Sequence, residues 1–286
     1  MSVIIGYVIV LASVFGGFAL AGGHVAALFQ PLELLMIGGG ALGAFVVGND
    51  MKVIKATIKV IPTLFKGSKH TSQLYIQLLL LLYRMLSKIR NDGLMSIEED
   101  VENPNESQLF TDYPLIIADH HIVEFLTDYL RLMVSGNIDP FQLENLMDNE
   151  IDTHHAEGEF PLHCIAKIGD GLPAFGIVAA VMGVVHTMES VGLPPAELGM
   201  LIAHALVGTF LGILLAYGFV TPLTGLVEHK LHESAKPMHC IKVTLIASLN
   251  GYPPALAIEF GRKVLFSTER PSFTEVDDEI RQSKAK

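Results

Sequence analysis

Four runs of about 20 apolar residues, at roughly 3–21, 31–49, 169–189 and 198–221, constrain this chain more than any other feature. A hydrocarbon core about 30 Å thick is crossed by about 20 helical residues, so each run is long enough to span a bilayer. Backbone N–H and C=O groups find no water there, and runs without strand alternation can satisfy them internally only as helices. The composition agrees: 50% of the 286 residues are hydrophobic and 17% are charged, with a mean hydropathy of +0.45. The expected fold is all-α, an integral membrane protein with four transmembrane helices in two hairpins and a large helical region outside the membrane. A net charge of -11 argues against a nucleic-acid partner, which selects a basic face. The first 21 residues lack the basic start of a secretory signal and carry a longer apolar stretch, so they read as a retained helix.

Lysine and arginine set the orientation. Of the 19 basic residues, ten lie between Lys52 and Lys167 and nine between Lys230 and Lys286, while the short connections at 22–30 and 190–197 contain none. The positive-inside rule therefore places both large segments and both termini in the cytosol, and the short connections outside. This divides the chain into a first transmembrane hairpin at 1–50, a cytosolic region at 51–168, a second hairpin at 169–225 and a cytosolic tail at 226–286.

Two other apolar runs compete for the membrane. Leu78–Leu82 is too short and is followed closely by Arg84 and Lys88, so it reads as the buried face of a cytosolic helix. The tail run IKVTLIASLN ends at Gly251, Pro253 and Pro254, and a fifth span would export the basic tail. Region 51–168 shows no period-2 pattern and reads as helices punctuated by Pro62, the NDG turn at 91–93, NPN at 103–105, Pro114 and the SGN turn at 135–137. Ser96-x-x-Glu99 has the spacing of a capping box. Asp139-Pro140 is a helix start that continues toward the third span, with Gly158 and Pro161 as its weak points. Cys164 and Cys240 read as buried apolar residues in a reducing compartment. Five histidines at 120, 121, 154, 155 and 163 make no complete metal-ligand set, and no nucleophile–base–acid constellation appears, so no catalytic or metal-binding residue is assigned.

Inside the membrane the side chains are small. Pro173, Gly176, Ala180 and Gly183 share a face of the third span; Ala205, Gly208, Thr209, Gly212 and Ala216 share a face of the fourth. With the spans antiparallel, Ala180 and Thr209 fall near the midplane, whereas Pro173 and Pro222 lie near the cytosolic edge. Two readings stand: close helix packing through small residues, or a face open to an ion. No charged residue is expected deep within any span, because Glu33 and Asp170 lie near span ends. An ion-conducting protein keeps an ionisable group in the membrane, so this chain either conducts nothing alone or borrows the group from a partner.

The runs GYVIVLASVFGGFALAGG, GDGLPAFGIVAAVMGVVH, AHALVGTFLGILLAYGFVTPL, SLNGYPPALAIEFGRK and ERPSF resemble the MotA family, the larger stator subunit of the bacterial flagellar motor. The resemblance covers essentially the whole chain. It implies an inner-membrane, multi-pass subunit with no cofactor, assembled as a pentamer around a MotB dimer. It further implies that MotB supplies the membrane aspartate and the peptidoglycan anchor, with protons as the coupling ion and FliG of the rotor as the target of force. At matching positions, Pro173 and Pro222 would couple ion binding to movement, and Thr209 would face the partner's aspartate. Ala180 stands where sodium-driven relatives place threonine, which implies proton use. Arg90 and Glu98 match the pair that meets the rotor, and Glu150 is a further candidate for that surface. The alternative is an ExbB or TolQ type of envelope energiser, whose members have three spans and the opposite N-terminal side. A reporter fused at residue 26 is expected to read periplasmic, and a cytosolic signal would refute the two-hairpin topology.

Overall fold

The computed structural model describes residues 2–136, 139–189 and 191–284. Asn137, in the expected SGN turn, and Ser190, in the expected outer connection, lie outside them. In chain order the helices are α1 (Ser2–Leu20), α2 (Pro31–Val47), α3 (Met51–Leu64), α4 (Ser72–Asp92), α5 (Glu98–Glu102), α6 (Gln108–Thr111), α7 (Pro114–Ile117), α8 (His120–Val134), α9 (Pro140–Met188), α10 (Pro195–Ile213), α11 (Thr221–Leu249), α12 (Pro254–Lys263) and α13 (Phe273–Lys284). Short 3-10 segments occupy Val25–Leu28 and Leu94–Ile97, and Leu214–Val220 forms a π-helix between α10 and α11. No strand occurs among the described residues.

The chain forms two compact units, Met1–Gly67 with Gly158–His229, and Ser68–Glu157 with Lys230–Lys286. The chain passes from one unit to the other between α3 and α4, after Gly67, and again within α9 and within α11. Four helical segments are long and apolar enough to cross a membrane: Ser2–Leu20, Val25–Val47, Pro140–Met188 and Pro195–Leu249. All of α1 lies in the first unit and buries no residue. That unit has two small cores, one built on Ile37, Ala41, Leu172, Ala179, Val207 and Leu211, the other on Leu64, Ile165 and Val227.

The second unit is built around α4. Thr71 starts this helix by accepting from the Leu74 N–H at 3.4 Å, and Gly93, at φ +87°, ends it while donating to Ile89 O. The NDG turn thus works through the one residue type that enters the left-handed region without strain. Leu78, Leu79, Leu81 and Leu82 are wholly buried, as a helix surrounded by others requires. Phe125, Leu126 and Leu130 of α8 and Cys240, Ile241 and Leu245 of α11 belong to the same core. Both competing apolar runs therefore bury themselves against protein rather than lipid. At about 1.5–3 kcal/mol per buried leucine, the α4 run supplies a large share of this unit's stability.

Asp139 accepts from the Phe141 N–H at 3.1 Å and opens α9 as expected. The helix then runs for 49 residues through Gly158, Pro161 and Pro173 without a break. The expected capping box does not form. Ser96 Oγ donates back to Gly93 O at 2.6 Å, and Ile97, which has no side-chain oxygen, precedes α5. The tight turn after Gly93 has captured the hydroxyl that the box would need.

Two outcomes test this packing by thermal unfolding in detergent. A Cβ on Gly261 of α12 would collide with Thr244 Oγ1 and stand 3.0 Å from Cys240 Sγ, whereas Gly225 faces open space. Gly261→Ala is expected to cost about 1–3 kcal/mol and Gly225→Ala to cost nothing. His70, His154 and His239 in this unit are held below the ordinary 6.5, first of all by burial. Below about pH 6.5 the unfolded chain then binds more protons than the folded one, so stability falls on acidification and is full above that pH. His154→Gln is expected to reduce the loss between pH 7.5 and 5.5.

Candidate functional site

The small residues of α9 and α10 meet backbone to backbone. A Cβ on Gly176 would stand 2.9 Å from Gly208 O and 3.1 Å from Gly212 Cα; one on Gly212 would stand 2.7 Å from Leu172 O; one on Gly183 would stand 2.7 Å from Ala205 Cβ. Such distances exclude any larger side chain, so these glycines serve close helix approach, the first of the two readings left open. Ala179 and Ala205, at 0% and 2% exposure, complete the seam. Ala180 N lies 3.3 Å from where Gly208 would carry a Cβ, which places Ala180 level with Gly208 and its neighbour Thr209. Ala180 and Thr209 are only half-buried. The structure thus brings this sequence-expected pair together at the margin of a closed seam.

One expectation is overturned. Glu33 sits in the first turn of α2, but its carboxyl lies level with Ala179 of α9 and Gly208 of α10, well inside those helices rather than at their ends. Its Oε2 lies 2.5 Å from the missing Cβ of Gly208, the residue is 9% exposed, and Oε2 has no hydrogen-bond partner among the described residues. A carboxylate therefore does reach the middle of the second hairpin. Sequence reading missed it because it assumed that a helix's first turn lies at the bilayer edge. Leu28 of the preceding 3-10 segment packs on the same core, so the connection at 22–30 dips inward before α2 starts.

The two prolines sit differently. Pro173 is half-buried within the unbroken α9, where its missing N–H leaves Gly169 O without its usual helical partner. Thr221 Oγ1 lies 2.9 Å from where Gly169 would carry a Cβ, so the start of α11 packs against this weakened turn. Pro222 is exposed, one residue beyond the π segment. Nothing in the sequence marked Leu214–Val220 as π-helical; such wide turns concentrate at functional positions. Tyr7 of α1 donates to Phe219 O at 2.9 Å, with the two rings 4.9 Å apart, so α1 is fastened to the π segment.

The second unit carries the other expected residues. Arg90 lies exposed in the last turn of α4 and Glu98 exposed at the start of α5, each at the helix end whose dipole favours its charge. Neither is ion-paired among the described residues. Lys88 and Asp100, 2.7 Å apart, tie the two helices together beside them. Glu150 of α9 differs: its Oε2 accepts from the Tyr129 hydroxyl at 2.6 Å. Burial, and then that bond, holds the Tyr129 hydroxyl well above its ordinary 10. Glu150 therefore anchors α9 to α8, a structural task the sequence reading did not assign to it.

Cys164 Sγ contacts Asn49 Oδ1 at 3.1 Å, and burial pushes the Cys240 thiol up to about 12, which keeps it protonated. His121 and His154 form one ring pair at 6.2 Å, and His155 and His232 another at 5.2 Å. Among the described residues no three histidine, cysteine or carboxylate side chains converge as metal ligands.

Residues 4–93 match the motility protein A N-terminal family model, and residues 118–239 match that of the MotA/TolQ/ExbB proton channel family. Motility protein A of Salmonella typhimurium is 55% identical over 281 residues, covering 98% of this chain and 95% of its own. The C. jejuni MotAB structure superposes with a TM-score of 0.78 at 21% identity, covering 95% of this chain and 98% of that one. The flagellar MotAB stator complex from Bacillus subtilis gives 0.73 at 24%, covering 99% and 98%. Identity at that level over nearly the full length of both sequences, with the same fold, leaves one assignment: this chain belongs to the motility protein A family.

Proposed function

We propose that this chain is the ion-channel and force-generating subunit of a flagellar stator. In this reading it sits in the bacterial inner membrane with both termini in the cytosol, as a pentamer around a MotB dimer, and uses proton flow to push FliG. Beyond binding and releasing protons it carries out no chemistry, and it needs no cofactor. The observation that carries the reading is that Ala180 and Thr209 stand at one depth, half-buried, beside a seam too tight to admit an ion by itself. A partner helix bearing a carboxylate completes such a site, and the solved relatives are complexes with MotB.

Ion choice follows from ligand count. Sodium needs several oxygen ligands and a proton needs one acceptor; Ala180 offers only a methyl group, so the site suits protons. Pro173 and Pro222 stand where weakened helix turns can yield when the carboxylate changes charge. A membrane potential supplies about 2.3 kcal/mol per charge per 100 mV, enough for a few protons to drive such a step. Arg90 and Glu98, exposed and without an ion-pair partner among the described residues, are the side chains that meet the rotor; Glu150, occupied by Tyr129, contributes mainly by fixing α9.

Deleting the gene in a host with no second stator system is expected to abolish swimming. Wild type restores it, while Arg90→Glu and Pro173→Ala restore it poorly although both proteins accumulate. Normal swimming of the deletion would falsify the assignment. Motility that survives a protonophore but stops on sodium removal would overturn the ion choice.

A further inference from the structure

The group left unexplained is Glu33. It is nine-tenths buried, its Oε2 has no hydrogen-bond partner among the described residues, and it lies over a glycine whose Cβ would be 2.5 Å away. A side chain at 208 would displace this carboxyl from where it lies. The next nearest atoms to that point are the Ala179 methyl group and the Ala180 backbone nitrogen, at 3.2 and 3.3 Å. None of the four spans contains lysine or arginine, so no fixed positive charge within them neutralises the acid.

A lone ionised carboxylate in such surroundings is strongly disfavoured, and a buried acid without a partner takes up a proton instead. A metal cation would need several oxygens, and among the described residues no three histidine, cysteine or carboxylate side chains converge to supply them. We propose that Glu33 is a second proton-binding group of the ion path, level with the site beside Ala180 and Thr209 and serving it. The carboxylate takes a proton from hydronium arriving from outside, releasing water, and stays neutral against Gly208. It then passes that proton to the ionised carboxylate of the partner helix and becomes charged again, ready for the next. No bond other than O–H changes, and no electrons move. This rests on the stator reading above.

The test uses the complete complex with its partner in vesicles, under an imposed proton gradient. Wild type is expected to conduct. Glu33→Gln, equal in shape but unable to carry a proton, is expected to lower the flux at least about tenfold, and Glu33→Asp to retain much of it. Infrared difference spectra of the same samples at neutral pH are expected to show a protonated-carboxyl band that shifts in deuterium oxide, moves in Glu33→Asp and vanishes in Glu33→Gln. Undiminished flux in Glu33→Gln, or the absence of that band from wild type, overturns the proposal. Should Glu33→Gln not assemble, the wild-type and Glu33→Asp spectra decide, because a band identical in both belongs to another residue. A wild-type complex that conducts no protons would instead refute the stator reading, so the two failures are distinct.

Discussion

Direct contact between the backbones of α9 and α10 is the constraint on which the membrane unit depends. Lipid tails are as apolar as leucine side chains, so helices in a bilayer gain little from hiding bulk and much from close van der Waals approach. Gly176, Gly208 and Gly212 allow that approach, and their positions decide what else can fit. The same missing side chain that lets α9 approach at Ala179 and Ala180 leaves the space that the Glu33 carboxyl enters. Close packing of α9 and α10 and a buried carboxyl from α2 thus occur a few ångströms apart.

The second unit follows water-soluble rules. Its core is a central apolar helix closed by a glycine at one end and a threonine at the other, wrapped by helices that hide the run IKVTLIASLN. Glu150 shows how a charged side chain serves the fold there. Its bond to Tyr129 places the charge as much as it uses it, so a substitution at 150 removes a support together with a charge.

Most of the architecture was legible because it rests on patterns of length and charge. The four spans, the buried fate of Leu78–Leu82, the start of α9 at Asp139 and the common depth of Ala180 and Thr209 all follow from run length, helical spacing and capping chemistry. What stayed hidden depends on three-dimensional offset. The depth of Glu33 follows from how far the connection before α2 dips, which no local pattern encodes. The capping box at Ser96 failed because a nearer acceptor, the carbonyl of Gly93, competes for the same hydroxyl once the turn has formed.

The π segment at Leu214–Val220 changes how this region is to be read by mutation. A π turn holds more residues than an α turn, so the angular phase of the helix after Thr221 no longer continues that of α10. A single helical wheel drawn from 195 to 249 would assign residues beyond the segment to the wrong face. Suppressor maps and cross-linking patterns across this stretch belong on two wheels, joined at the π-helix, and Pro222 is the first marker of the second.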